Sequence, residues 1–225
     1  GWPPSNVLEL MIRQLDEQEI FFRNRLMATL EEDRAIFNEG LDFTLDQSKL
    51  EHPTLPFDSA VMVSSRSKQV YNKLINAVIA TLSEDYFANR AQFDAIRRQL
   101  DDLRHSPLPF RKEEADIFER LPLIHYRLIA QIRCAKQALA SELYRRKHGI
   151  YPSDAAALTP EFLSTVQLNP FDGKELTVAV GERDVTVIDA AADYRKISEK
   201  HRMITVSAPN QLTRHEPSFS APAMP

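Results

Sequence analysis

Asp101 and His105 stand four residues apart, a spacing that sets a carboxylate and an imidazole on one helix face, where they can share a metal ion. His105 also falls near a helix end, where the dipole favours a cation, and that is the simpler account of it. Glu113, Glu114, Asp116 and Glu119 form an acidic group of the kind used in acid–base chemistry, yet such residues equally suit the first turns of a helix. Cys134 has Arg133 and Lys136 nearby, cations that can draw a thiol toward thiolate. A lone helical cysteine is more often a small packing residue. Arg145-Arg146-Lys147 can touch phosphates or anionic lipid, and a solvated helix end explains the run as well.

Stronger signatures are missing. Gly40, Gly149, Gly173 and Gly181 are too dispersed to cradle a phosphate, and there is no GxGxxG, GxxxxGK[ST] or GxSxG. His52, His105, His125, His148, His201 and His215 make no HExxH or paired ExxH pattern, and one cysteine supplies neither a disulfide nor a cysteine-based zinc site. The sequence therefore assigns no catalytic residue, no cofactor and no metal ligand. It predicts that no deep pocket gathers polar groups and that Asp101 and His105 face solvent.

The elements that would carry any such chemistry are helices. In 225 residues, 28 basic and 32 acidic side chains leave a net charge of −4, which opposes a wholly basic nucleic-acid binder. Apolar residues recur at Leu8, Met11, Ile12, Leu15, Phe22, Leu26 and Leu30, and predict a first helix from Ser5 or Asn6 to about Asn38, closed by Glu39-Gly40. Ile20, Phe21 and Phe37 fall beside that stripe and are expected to stay exposed. A second helix is predicted from Ser64 or Ser65 to Leu103, on Val70, Leu74, Val78, Leu82, Phe93, Ile96, Leu100 and Leu103. A third runs from Lys112 to His148, bent or broken at Pro122. Leu74 to Leu82 is the most apolar stretch, and Asn76 and Thr81 interrupt it, so no membrane span is expected.

Beyond Gly149 the pattern changes. Residues 175–180 and 184–188 alternate in strand fashion about Gly181-Glu182-Arg183, and 202–207 offers a third strand. The expected class is α+β, mainly α: long antiparallel helices in a bundle or extended hairpin, with a small C-terminal antiparallel β module. The expected division is a helical domain over 1–148, a C-terminal module over 149–208 and an irregular tail over 209–225.

Gly149 suits a left-handed helix end, Tyr151 can pack back over it, and Pro152 starts the next turn. Pro170-Phe171-Asp172-Gly173 reads as a type I or II turn with Phe171 as an apolar anchor. These seven residues are the expected structural corners. Taken together, Gly149-Ile150-Tyr151-Pro152 and Asn169-Pro170-Phe171-Asp172-Gly173 resemble the segment of type II secretion major pseudopilins in which a helix ends at Gly-x-Tyr-Pro before an Asp-Pro-aromatic-x-Gly loop. The stretch over about 133–176 resembles still more closely the form of this segment reused in uncharacterised bacterial envelope proteins. Here over a hundred residues of other helix precede it, Asn169 stands where the family has Asp, and Asp184, Asp189 and Asp193 make no calcium loop. The resemblance thus implies an extracytoplasmic setting and a local fold, not membership in a secretion filament.

The resulting expectation is a non-enzymatic periplasmic or cell-envelope interaction or scaffold protein. Its partner would be another protein or a second copy, not nucleic acid. The chain opens Gly1-Trp2-Pro3-Pro4 without methionine, and a membrane anchor ahead of Trp2 belongs to this reading. The alternatives are an enzyme or small-ligand binder with an inter-helix site, and a cytosolic helical adaptor.

Overall fold

Helix α1, Ser5–Glu51, starts where two prolines can no longer oppose it: the Pro4 carbonyl accepts the N–H groups of Val7 at 3.0 Å and Leu8 at 3.2 Å. It passes Gly40 without ending, so the expected stop near Asn38 is corrected; nothing lies within 4 Å of a Cβ there, and a lone glycine costs a helix only about 1 kcal/mol. A computed structural model describes residues 3–51, 57–105, 112–180, 184–188 and 203–207. The turn at Gly181–Arg183, the prolines at 53, 56, 107 and 109, Asp189, Asp193 and the tail from Pro209 lie outside them.

The predicted second helix is two helices, α2 over Phe57–Leu82 and α3 over Arg90–Arg104. No proline or glycine separates them. Tertiary partners end α2 instead by claiming its last carbonyls. Tyr126 Oη donates to the Thr81 carbonyl at 2.6 Å and approaches that of Glu84 at 3.0 Å, while Asn89 Nδ2 donates to Thr81 at 3.1 Å. Arg23 donates to the Leu82 carbonyl at 3.3 Å. These bonds satisfy groups that a helix end otherwise leaves orphaned.

Helix α4, Lys112–His148, continues unbroken through Pro122, where the expectation allowed a break. Proline removes its own N–H donor, and Pro122 is itself buried among the packed helices. Helices α1 and α4 run antiparallel: Asp16, Glu19 and the Pro3 carbonyl of α1 and its lead-in meet Lys136, Arg133 and Arg146 in turn. Helices α1 and α2 are also antiparallel, with Arg34 on Asn76 at 2.6 Å and Asn38 on Asn72 at 3.1 Å.

One core joins Leu30, Leu74, Val78, Leu82, Leu100 and Tyr126, and Phe171 reaches it from beyond α4. A second joins Leu8, Ile12, Leu139 and Leu143 to Leu158 and Leu163. Strands β1, Thr177–Val180, β2, Asp184–Ile188, and β3, Met203–Ser207, pair antiparallel in that order, with Val178 opposite Val187 and Thr186 opposite Thr205. They have four, five and five residues beside helices of 47, 26, 15 and 37. Among the described residues the class is therefore mainly helical, a bundle of four helices, and the expected α+β class with a β module is corrected. Alternation signals extended backbone without saying whether strands form a layer, and the layers here are helices.

If Tyr126 helps end α2, Tyr126→Phe should cost about 1–2 kcal/mol, because the one hydroxyl hydrogen shared between the Thr81 and Glu84 carbonyls is lost while the ring's packing is kept. Urea unfolding measures it, and an unchanged midpoint would remove the hydroxyl from this role.

Candidate functional site

Asp85 lies in the bend between α2 and α3 and is the meeting point of the helices. Arg133 of α4 places Nη1 at 2.6 Å from its Oδ2 and Nη2 at 3.1 Å from its Oδ1. Arg23 of α1 also donates to Asp85 Oδ1. Burial alone would raise the Asp85 pKa; Arg133 and then Arg23 outweigh it and hold the carboxyl below its ordinary value. Arg133 also reaches Glu19 at 2.7 Å and the Leu168 carbonyl at 2.9 Å, so one guanidinium joins α1, α4, the α2–α3 bend and the loop carrying the second glycine corner. Lys136 extends the cluster, 2.5 Å from Asp16 and 3.8 Å from Glu19. Among these six groups positive and negative charges balance, and none is left to act as an isolated acid or base.

The expected corners fall in two turns. Gly149 has φ of 81°, and its N–H donates to the Arg145 carbonyl at 2.7 Å, as a left-handed helix end requires. Tyr151 and Pro152 are buried beside it. Tyr151 Oη lies 3.3 Å from Glu142, a carboxylate with no exposure that Arg145 and Arg146 grip at 2.7 and 2.9 Å. Burial raises the Glu142 pKa, and the two arginines more than reverse that. In the second turn, Asn169 Oδ1 accepts the Phe171 N–H at 2.9 Å and its carbonyl accepts the Gly173 N–H at 2.9 Å. Pro170 is buried and its carbonyl accepts the Phe87 N–H at 3.1 Å; Asp172 is exposed and accepts the Lys174 N–H at 3.0 Å. Gly173 has φ of 70°, and a Cβ there would lie 2.9 Å from the Phe87 ring.

The residues weighed for chemistry are dispersed. Asp101 and His105 are exposed; Asp101 pairs with Arg104 at 2.5 Å, and His105 Nδ1 lies 2.7 Å from the Asp101 carbonyl. Asp116 and Glu119 receive Arg104 at 2.8 and 2.7 Å, which clamps α3 to α4. Cys134 is buried. Among the described residues no three His, Cys, Asp or Glu side chains converge as a metal site would need. Phe37, expected to be exposed, stacks on Tyr71 at 3.7 Å, whereas Ile20 and Phe21 do stand in solvent.

Two concavities were not legible in the sequence. A cleft of about 450 Å³ between the start of α1, α4 and residues 161–167 is lined by Arg13, Asp16, Lys136, Glu161 and Gln167. Lys136 is buried there, its charge met by Asp16. The second is an apolar groove of about 240 Å³ on the outer seam of α1 and α4, with His125 in its wall. Burial, and then the Arg23 charge, push the His125 pKa down to about 4, and Nε2 has no hydrogen-bond partner among the described residues. Glu19 and Asp85 drew no notice in the sequence, and His125 counted there only as one of six scattered histidines, because only the helix packing brings them together with Arg23.

Removing the central guanidinium strands two inward carboxylates with one remaining arginine, so Arg133→Met should cost about 3–5 kcal/mol in urea unfolding. Arg133→Lys should recover only part, since an ammonium cannot span Asp85, Glu19 and Leu168 at once. A wild-type midpoint for the Met variant would show that the cluster carries no stability.

His125 gives a separate signature. Its folded pKa of about 4 lies below the unfolded value near 6.5, so the unfolded chain binds the proton first and stability falls as pH drops between them. From pH 7.5 to pH 5 the loss should be on the order of 2 kcal/mol. His125→Phe should flatten that slope, and an identical slope in the variant would assign the titration elsewhere.

No protein-family model, curated protein or solved structure matches the chain.

Proposed function

We propose that the chain is a non-enzymatic interaction or scaffold protein of the bacterial cell envelope, working outside the cytoplasm. The observation that carries the interaction reading is an inverted surface. Glu19, Arg23, Asp85, Arg133 and Lys136 are spent inside on one another or on neighbouring helices, and Glu142 is spent on Arg145 and Arg146 of its own helix. Meanwhile Ile20, Phe21, Ile36, Ile117 and Ile124 are 58–66% exposed on α1 and α4. Apolar side chains gathered on helix faces in this way are what another chain covers.

The envelope part rests on the Gly149-Ile150-Tyr151-Pro152 and Asn169-Pro170-Phe171-Asp172-Gly173 turns and their likeness to the pseudopilin segment. No described helix is long and apolar enough to cross a membrane. The test is a pair of reporters fused to the C-terminus of the full-length gene product. A reporter active only outside the cytoplasm should be active, and one active only inside should be silent. The reverse result would replace the envelope protein with a cytosolic adaptor.

A further inference from the structure

We infer that the open seam between α1 and α4 is a docking groove for an acidic amphipathic helix of a partner protein. The inference rests on the interaction reading above and gives it a surface and a partner chemistry.

The groove has two helical walls. Phe22, Leu26 and Thr29 form one, at spacings of four and three; Leu121, Ile124 and Leu128 form the other, at three and four. That alternation is the seam along which one helix receives another. Helices α1 and α4 are each also packed on α2, so this seam is a place where a further helix could be added to the bundle. Phe21, 59% exposed, stands edge-on to Phe22 at the rim, and Ile124 in the wall is 62% exposed. At about 240 Å³ the groove falls below the roughly 300–1,000 Å³ of small-molecule pockets, and its length follows the helices.

Charge selects among apolar occupants. Arg25 lines the groove, and Arg120 and Arg127 each directly precede a wall leucine. Arg25 and Arg120 are exposed and Arg127 half-buried, and none of the three has an ion pair among the described residues. Among the described residues no carboxylate lines the groove; Glu32 and Asp33 come on α1 beyond Thr29. An occupant with glutamates flanking its apolar stripe would meet these arginines, as flanking charges do in paired helices.

The probe is a three-heptad peptide with leucines at four–three spacing and glutamates on both flanks, compared with the same peptide carrying lysines instead. Fluorescence anisotropy with the whole chain should show the glutamate peptide binding at least about tenfold tighter, by an amount that shrinks with salt. Ile124→Glu should abolish binding, and Arg25→Glu with Arg120→Glu and Arg127→Glu should reverse the preference toward the lysine peptide. Circular dichroism and thermal melting confirm that both variants fold, and the charge-reversed one leaves the apolar walls intact. Equal binding of the two peptides, or binding of neither, overturns the inference. So does association with phosphatidylglycerol vesicles without peptide binding, which makes the groove a membrane contact. A dimer in sedimentation that Ile124→Glu dissolves and the glutamate peptide does not displace makes the occupant a second copy, and overturns it too. A cytoplasmic reporter result would move the protein and leave these binding results standing, so the two failures are distinct.

Discussion

A carboxylate gripped by two guanidiniums at a helix break is the constraint on which the rest of this bundle depends. Asp85 can receive Arg133 and Arg23 together only because α2 stops at Leu82 and turns the chain inward. Arg23 donates to both the Leu82 carbonyl and Asp85, so the group that ends the helix also pairs with the acid following it. Arg133 then carries the constraint to Leu168, next to the Asn169 turn. Breaking a pair of this kind is far more costly than never having built it, because the surviving charges stay largely withdrawn from water.

Stability alone is a poor reason for such a cluster, since well-packed apolar groups often do as well. Register is a better one. The apolar rows of α1 and α4 repeat every three or four residues, and rows of that kind can be slid by one repeat with little loss of apolar contact. Charges cannot. Glu19 opposite Arg133 and Asp16 opposite Lys136 fix a single antiparallel alignment, and Arg146 on the Pro3 carbonyl repeats the setting at the far end. The alignment in turn carries Leu8 and Ile12 to Leu139 and Leu143, where Leu158 and Leu163 can cover them.

What the sequence made legible follows from what is local. Periodicity located the helices and most of their buried faces; Val78, Leu82, Phe93, Ile96 and Leu100 are all in the core. Gly149 and Gly173 were readable because a positive φ is a local demand that glycine meets. The end of α2 was not readable, for its caps come from Arg23 and Tyr126, far away in the chain. Gly40 and Pro122 misled for the opposite reason: each weakens a helix locally, and packing on both sides outweighs it. The strands were detectable by alternation, but their weight in the fold depends on what packs on what, which alternation does not encode. The candidate site suffered most, because Asp85, Arg133 and His125 are unremarkable residues until three helices bring them together.

The inner and outer seams of α1 and α4 belong to one arrangement. The inner contacts add charge pairs, which give alignment, to the apolar burial of Leu8 and Ile12 against Leu139 and Leu143. The outer seam keeps Phe21, Ile117 and Ile124 in water, although covering such a side chain is worth about 1.5–3 kcal/mol. A chain under selection for its own stability alone would exchange these assignments, putting isoleucine inside and arginine out. Holding α1 and α4 in register by charge fixes the outer walls relative to each other without using the apolar residues on them. A surface prepared in this way loses little conformational freedom when it is covered, and preorganisation of that kind is what converts a shallow groove into a useful binding site.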